Sequence, residues 1–141
     1  HAPDDGLRDE LVPINRRYPI DEVLQAARDY ATRKGRRVTF EYACIAGVND
    51  DPAYAVALAR RLQGFPAGAH VNLIPLNPTT DYAGRASARD RLAVFAARLT
   101  ERGVNATVRR NRGVDIDAAC GQLRSRSAAT ADASGSATME R

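Results

Sequence analysis

Apolar residues along this chain recur at helical spacing, then at strand spacing, then at helical spacing again. That alternation restricts the chain to helix–strand units packed about a parallel sheet. Ile20, Val23, Leu24, Ala27 and Ala31 mark a helix, with Pro19 near its start and Gly35 just past its end. The stretch 37–45 follows, rich in aromatic and β-branched residues, with Val38, Phe40, Tyr42 and Cys44 on one alternation. Asp51 can cap a second helix that has Pro52 at its first position and Ala55, Leu58, Ala59 and Leu62 on one face. Residues 70–76 form the next strand. Ser87 and Asp90 resemble a capping box for a third helix with Leu92, Phe95, Ala96 and Leu99 on its inner face. Residues 104–109 make the third strand.

The expected fold class is therefore α/β, with parallel strands near 38–45, 71–76 and 104–109 and helices on one face. The order begins on a helix, which implies a strand before it, and so an open edge on the strand at 38–45. Ligands of such folds bind at the C-terminal ends of the strands. Three loops meet that edge, at 46–51, 75–85 and 110–123. Beyond Leu123 the sequence has no apolar periodicity, so 1–123 reads as the folded part and 124–141 as a disordered tail.

Few residues could carry chemistry. Cys120 lies in an edge loop, before a glycine and downstream of Arg109, Arg110 and Arg112, whose charge favours thiolate. It is either a reactive thiol or a small apolar residue packed by Ala118 and Ala119. Cys44, on the inward alternation, reads as core. Asn77, past a strand end, can hydrogen-bond a ligand or serve a turn before Pro78. Asp115 and Asp117 are a carboxylate pair or partners of Arg112, and the arginine cluster is a phosphate contact or a solvated surface.

Composition narrows the classes. The formal net charge is +4, and Lys34 is the single lysine among 21 basic residues. Arginine suits phosphates and bases, although the same bias arises in a GC-rich genome. Two separated cysteines give neither a disulfide framework nor a zinc motif. No apolar run is long enough to span a membrane and no secretory signal opens the chain, which favours the cytoplasm.

Five stretches, in order, resemble the dual-specificity RNA adenine C2-methyltransferases of the radical S-adenosylmethionine class. They are His1-Ala2-Pro3-Asp4, Arg8-Asp9-Glu10-Leu11-Val12-Pro13-Ile14-Asn15, Gly47-Val48-Asn49-Asp50, the segment 72–77 and, most specific, Asp115-Ile116-Asp117-Ala118-Ala119-Cys120-Gly121-Gln122-Leu123. The resemblance covers about residues 1–123 and implies the C-terminal half of such an enzyme, part of a (βα) barrel that holds S-adenosylmethionine and a [4Fe-4S] cluster. It implies methylation of adenine C2 in 23S ribosomal RNA and transfer RNA, with an electron donor as a further partner. By the same resemblance Cys120 is the catalytic cysteine that becomes S-methylated and whose methyl, once a radical, adds to the base. His1 and Asn77 are, again by resemblance, cofactor-binding.

The sequence also departs from that pattern. It has no Cys-x-x-x-Cys-x-x-Cys motif for a cluster, no second catalytic cysteine, and no Ser-Leu before His1. It is expected to be a fragment that does not catalyse alone and needs the N-terminal part that carries the cluster. Two other readings are the related enzyme that methylates adenine C8, against which Asp117 speaks, and a non-catalytic RNA-binding fragment.

Overall fold

The computed structural model describes residues 1–77 and 82–109. Cys120, with Asp115, Asp117, Arg110, Arg112 and the expected tail, lies outside the described residues. The described elements are α1 (Asp5–Leu11), a short 3-10 turn (Pro13–Arg16), α2 (Ile20–Lys34), β1 (Val38–Cys44), α3 (Pro52–Leu62), β2 (Ala69–Pro75), α4 (Arg89–Thr100) and β3 (Asn105–Val108).

The three strands form one sheet in the order β1-β2-β3, and both pairings are parallel, with Val38 opposite Ala69 and His70 opposite Asn105. Fold class, strand positions and neighbours are as the alternation indicated. β1 is an edge strand of this sheet, again as expected.

The reason lies in the two residue periods. Tyr42 and Cys44 of β1, Val71 and Leu73 of β2, and the inner positions of α2, α3 and α4 share one core. All three helices therefore cover the same face of the sheet. Tyr42 packs on Phe95 with ring centroids 5.2 Å apart, and Phe40 meets Phe65 edge to face at 5.4 Å. α3 buries Ala55, Leu58, Ala59 and Leu62, the four positions read from its spacing. α2 buries Ile20, Leu24 and Ala31 but leaves Val23 exposed, because Val23 sits at the border of the apolar stripe.

Helix ends follow local chemistry, with one correction. Asp51 caps α3 by accepting from the Ala53 N–H at 2.8 Å, and Gly35 ends α2 in the left-handed conformation at φ 60°. Ser87 does not cap α4. Ala88 occupies the cap position with no side-chain bond, and the Ser87 hydroxyl is buried without a partner. The Asp90 carboxylate instead accepts from the Arg91 N–H at 2.8 Å.

The spacing gave no sign of α1 and the 3-10 turn. Both are held by polar contacts: Asp4 caps α1 through the Leu7 N–H, and buried Asn15 donates to Asp5 at 2.9 Å and to Asp9 at 2.6 Å. Asp5 also accepts from the Ile20 N–H at 2.8 Å. That backbone bond, with the Asn15 amide next, holds the Asp5 carboxyl below its usual range. The 8–15 motif is thus a buried polar joint between α1 and the start of α2.

Candidate functional site

Parallel strands deliver the chain to one edge, and the structure gathers several of the singled-out residues there. β1 ends at Cys44, β2 at Pro75 and β3 at Val108. Leu76 N–H continues the ladder to the Cys44 carbonyl at 3.1 Å, and Arg109 N–H continues it to Leu73 at 2.8 Å. Asn77 lies two residues past β2, and exposed Arg109 directly past β3. Beyond the end of β1, Ala46 N–H reaches the Arg85 carbonyl at 2.8 Å, so the loop before α4 is stitched to the same edge.

His1 is placed here by contacts, not by sequence proximity. Its Nδ1 accepts from the Ala43 N–H at 3.3 Å, near the C-terminal end of β1. Its carbonyl accepts from the Asn49 side-chain amide at 2.8 Å. Asn49 is fully buried (0 % exposed) and uses its whole side chain: Nδ2 also donates to the Ala43 carbonyl at 2.7 Å, and Oδ1 accepts from the Ile45 N–H at 2.7 Å. The Asn49 carbonyl in turn accepts from the Tyr42 hydroxyl at 2.9 Å. Asp50, buried beside it, accepts from the Gly47 N–H at 3.0 Å and faces Arg91 at 3.8 Å.

The sheet face opposite the helices is polar. The Asn72 amide donates to the Glu41 carboxylate at 3.0 Å and accepts from the Thr107 hydroxyl at 3.3 Å, while His70 Nε2 lies 3.0 Å from that hydroxyl. These residues sit on neighbouring rows of the three strands, below the edge where His1 and Asn77 lie.

Cys44 is not part of this chemistry. It is fully buried, as the alternation indicated, and burial first, then the Asp50 carboxylate, pushes its thiol up to about 12. Burial likewise raises the Tyr42 phenol, with Cys44 next. Among the described residues no group of His, Cys, Asp and Glu is placed to hold a metal. With two cysteines in the whole chain, a cluster bound by three thiolates must take ligands from elsewhere. The donors and acceptors at the edge do suit a polar cofactor such as S-adenosylmethionine: an imidazole at His1 and an amide at Asn77. No helix among the described residues is long and apolar enough to cross a membrane.

Sequence reasoning placed the loop of Asn77 at this edge; the structure does the same and brings His1 there as well. It missed Asn49 and the Glu41–Asn72–Thr107 row. Asn49 was legible only as a member of Gly47-Val48-Asn49-Asp50, since its bond to His1 spans 48 residues and its nearer partners are backbone groups and the Tyr42 hydroxyl, which leave no sequence pattern.

No family model matches the chain. Over 123 residues it is 62% identical to a probable dual-specificity RNA methyltransferase RlmN of Parafrankia sp. (strain EAN1pec), a match covering 87% of this chain and 31% of that protein. It is 53% identical over 124 residues to the protein of the same name in Pelotomaculum thermopropionicum, covering 88% and 33%. Among solved structures, a radical SAM methyltransferase from Sphaerobacter thermophilus superposes with a TM-score of 0.82 at 56% identity, over 86% of this chain and 35% of that one. A domain of pyruvate-formate lyase-activating enzyme from Bacteroides vulgatus ATCC 8482 shares the fold, with a TM-score of 0.61 at 18% identity over 76% and 62%. The chain thus matches a segment of the radical SAM methyltransferases named RlmN, as its motifs indicated, and spans about a third of the length of those curated relatives.

Proposed function

We propose that this chain is part of an RNA methyltransferase of the RlmN type, which methylates carbon 2 of adenine in 23S ribosomal RNA and transfer RNA in the cytoplasm. The observation that carries the reading is 62% identity over 123 residues to a protein of that name, together with the Asp-Ala-Ala-Cys-Gly-Gln-Leu segment. The arginine-rich composition supports a polyanionic partner.

In this reading S-adenosylmethionine supplies a methyl group and, with a [4Fe-4S] cluster ligated outside this chain and an electron donor, a radical. The chain's own residues bind and carry. His1 and Asn77 hold the cofactor at the strand edge. Cys120 would be the residue that takes the methyl group, as a thiolate at Sγ, and that would present it to the base. In the sequence Arg109, Arg110 and Arg112 precede Cys120, and positive charge of this kind beside a thiol favours the thiolate. The open polar face of the sheet is the lumen side of the barrel. The chain by itself, without cluster ligands, does not catalyse.

The test uses the full-length protein carrying this chain. Cys120→Ala should retain iron and sulfide content and lose adenine C2 methylation. Peptide mass spectrometry should find the extra methyl on Cys120 in the parent alone. An undiminished methylation rate in Cys120→Ala would overturn the assignment.

A further inference from the structure

We infer that Asn49 is a positioning residue that, with the Ala43 N–H, fixes His1 as a hydrogen-bond donor through Nε2 toward an acceptor atom of S-adenosylmethionine. The inference rests on the proposed cofactor role of His1 and adds to it which ring nitrogen acts and what holds it.

The geometry leaves little freedom. A backbone amide can only donate, so the 3.3 Å contact from Ala43 N–H makes His1 Nδ1 an acceptor. A neutral imidazole that accepts at Nδ1 carries its proton on Nε2. Nε2–H meets no protein acceptor among the described residues, and the ring is exposed at the strand edge. The ring can hold this attitude because its own backbone is tied down. Asn49 Nδ2 bridges the carbonyls of His1 and Ala43, at 2.8 and 2.7 Å, so the backbone of His1 is clamped to the residue whose N–H orients the ring. Asn49 is in turn fixed by the Ile45 N–H on Oδ1 and the Tyr42 hydroxyl on its carbonyl. One buried amide thereby holds together the backbone of a residue 48 positions away and the residue whose N–H sets its tautomer.

Equilibrium binding of S-adenosylmethionine to the full-length protein, by titration calorimetry, tests this without relying on turnover. Asn49→Asp keeps the size and the acceptor for Ile45 N–H but turns an oxygen toward two carbonyls. It should weaken binding about tenfold in the parent, and by less than about twofold in a His1→Ala background, since a residue that acts through His1 is non-additive with its removal. Equal weakening in both backgrounds, or parental affinity of Asn49→Asp, overturns the inference. Should Asn49→Asp fold poorly, a second pair leaves the loop intact. His1→Gln keeps an N–H near the Nε2 position and should stay within about threefold of the parent, whereas His1→Asn, reaching only as far as Nδ1, should bind as weakly as His1→Ala. Any other order of the two overturns the donor assignment. Parental affinity of His1→Ala would remove the cofactor role of His1 and this inference with it. A weakened His1→Ala beside a parental Asn49→Asp removes this inference alone.

Discussion

The side-chain amide of Asn49 donates to the carbonyl of His1 at 2.8 Å, joining the loop after β1 to a residue 48 positions earlier. The same amide fills its remaining capacity on Ala43 and Ile45. Asn49→Ala would leave two part-buried carbonyls and one buried N–H without this partner, at a cost of about 1 kcal/mol for each group. A loss of about 3 kcal/mol is expected in urea unfolding of the full-length protein. A loss below about 1 kcal/mol would mean that water replaces the amide.

Cys44 should be inert. Its thiol is buried and its pKa raised, so thiolate is scarce at ordinary pH. Alkylation of the native protein near pH 8, read by peptide mass spectrometry, should leave Cys44 unmodified and label it only after unfolding. Labelling at the rate of a free thiol would contradict the packing described for β1.

The raised thiol also sets a sign for alkaline stability. An acid with a higher pKa in the folded state stabilises that state fully below its unfolded pKa, and this is lost as pH rises. For Cys44 the loss runs from about 9 to about 12, at up to about 1.4 kcal/mol per pH unit. The buried Tyr42 phenol acts in the same direction. Cys44→Ala should flatten the fall of stability with pH above 9 in denaturant titrations. An unchanged slope would sink the assignment.

Two residues that look alike as helix caps should behave oppositely. Asp51→Ala removes a bond to the first turn of α3 and should cost about 1 kcal/mol. Ser87→Ala removes a buried hydroxyl that has no partner, and should be neutral or stabilising. Thermal midpoints of the two variants decide between this and a capping role for Ser87.

Among the described residues no strand pairs with the outer edge of β1, so backbone donors and acceptors other than the Ala43 N–H face out for pairing. The isolated chain should self-associate with rising concentration in sedimentation equilibrium. A stable monomer throughout would show that the contacts of His1 suffice to close that edge.

The α/β class, the strand positions and the inner faces of α3 and α4 were legible because burial imposes a period on sequence. Cys44 was legible for the same reason. Val23 shares the helical spacing of α2 yet is exposed, since spacing alone does not show where a stripe ends. α1 and the 3-10 turn were not legible: Asp4, Asp5, Asp9 and Asn15 stabilise them through specific hydrogen bonds, which have no period. At the candidate site, His1 and Asn77 were reached through resemblance and through the rule that parallel strands converge on one edge. Asn49 could not be reached that way, since its role depends on partners supplied by the folded chain. Cys120, the residue that most shaped the functional reading, lies outside the described residues.

Parallel pairing has a kinetic side. Glu41 meets Asn72 31 residues on, and Asn72 meets Thr107 after 35 more, so each strand pair closes a long loop before any sheet bond rewards it. α3 and α4 lie inside those loops and can form from local contacts. Registration of strands, not helix formation, should therefore limit refolding. During synthesis β1 must wait for α3 and then β2 to emerge before the first bond between these two strands can form.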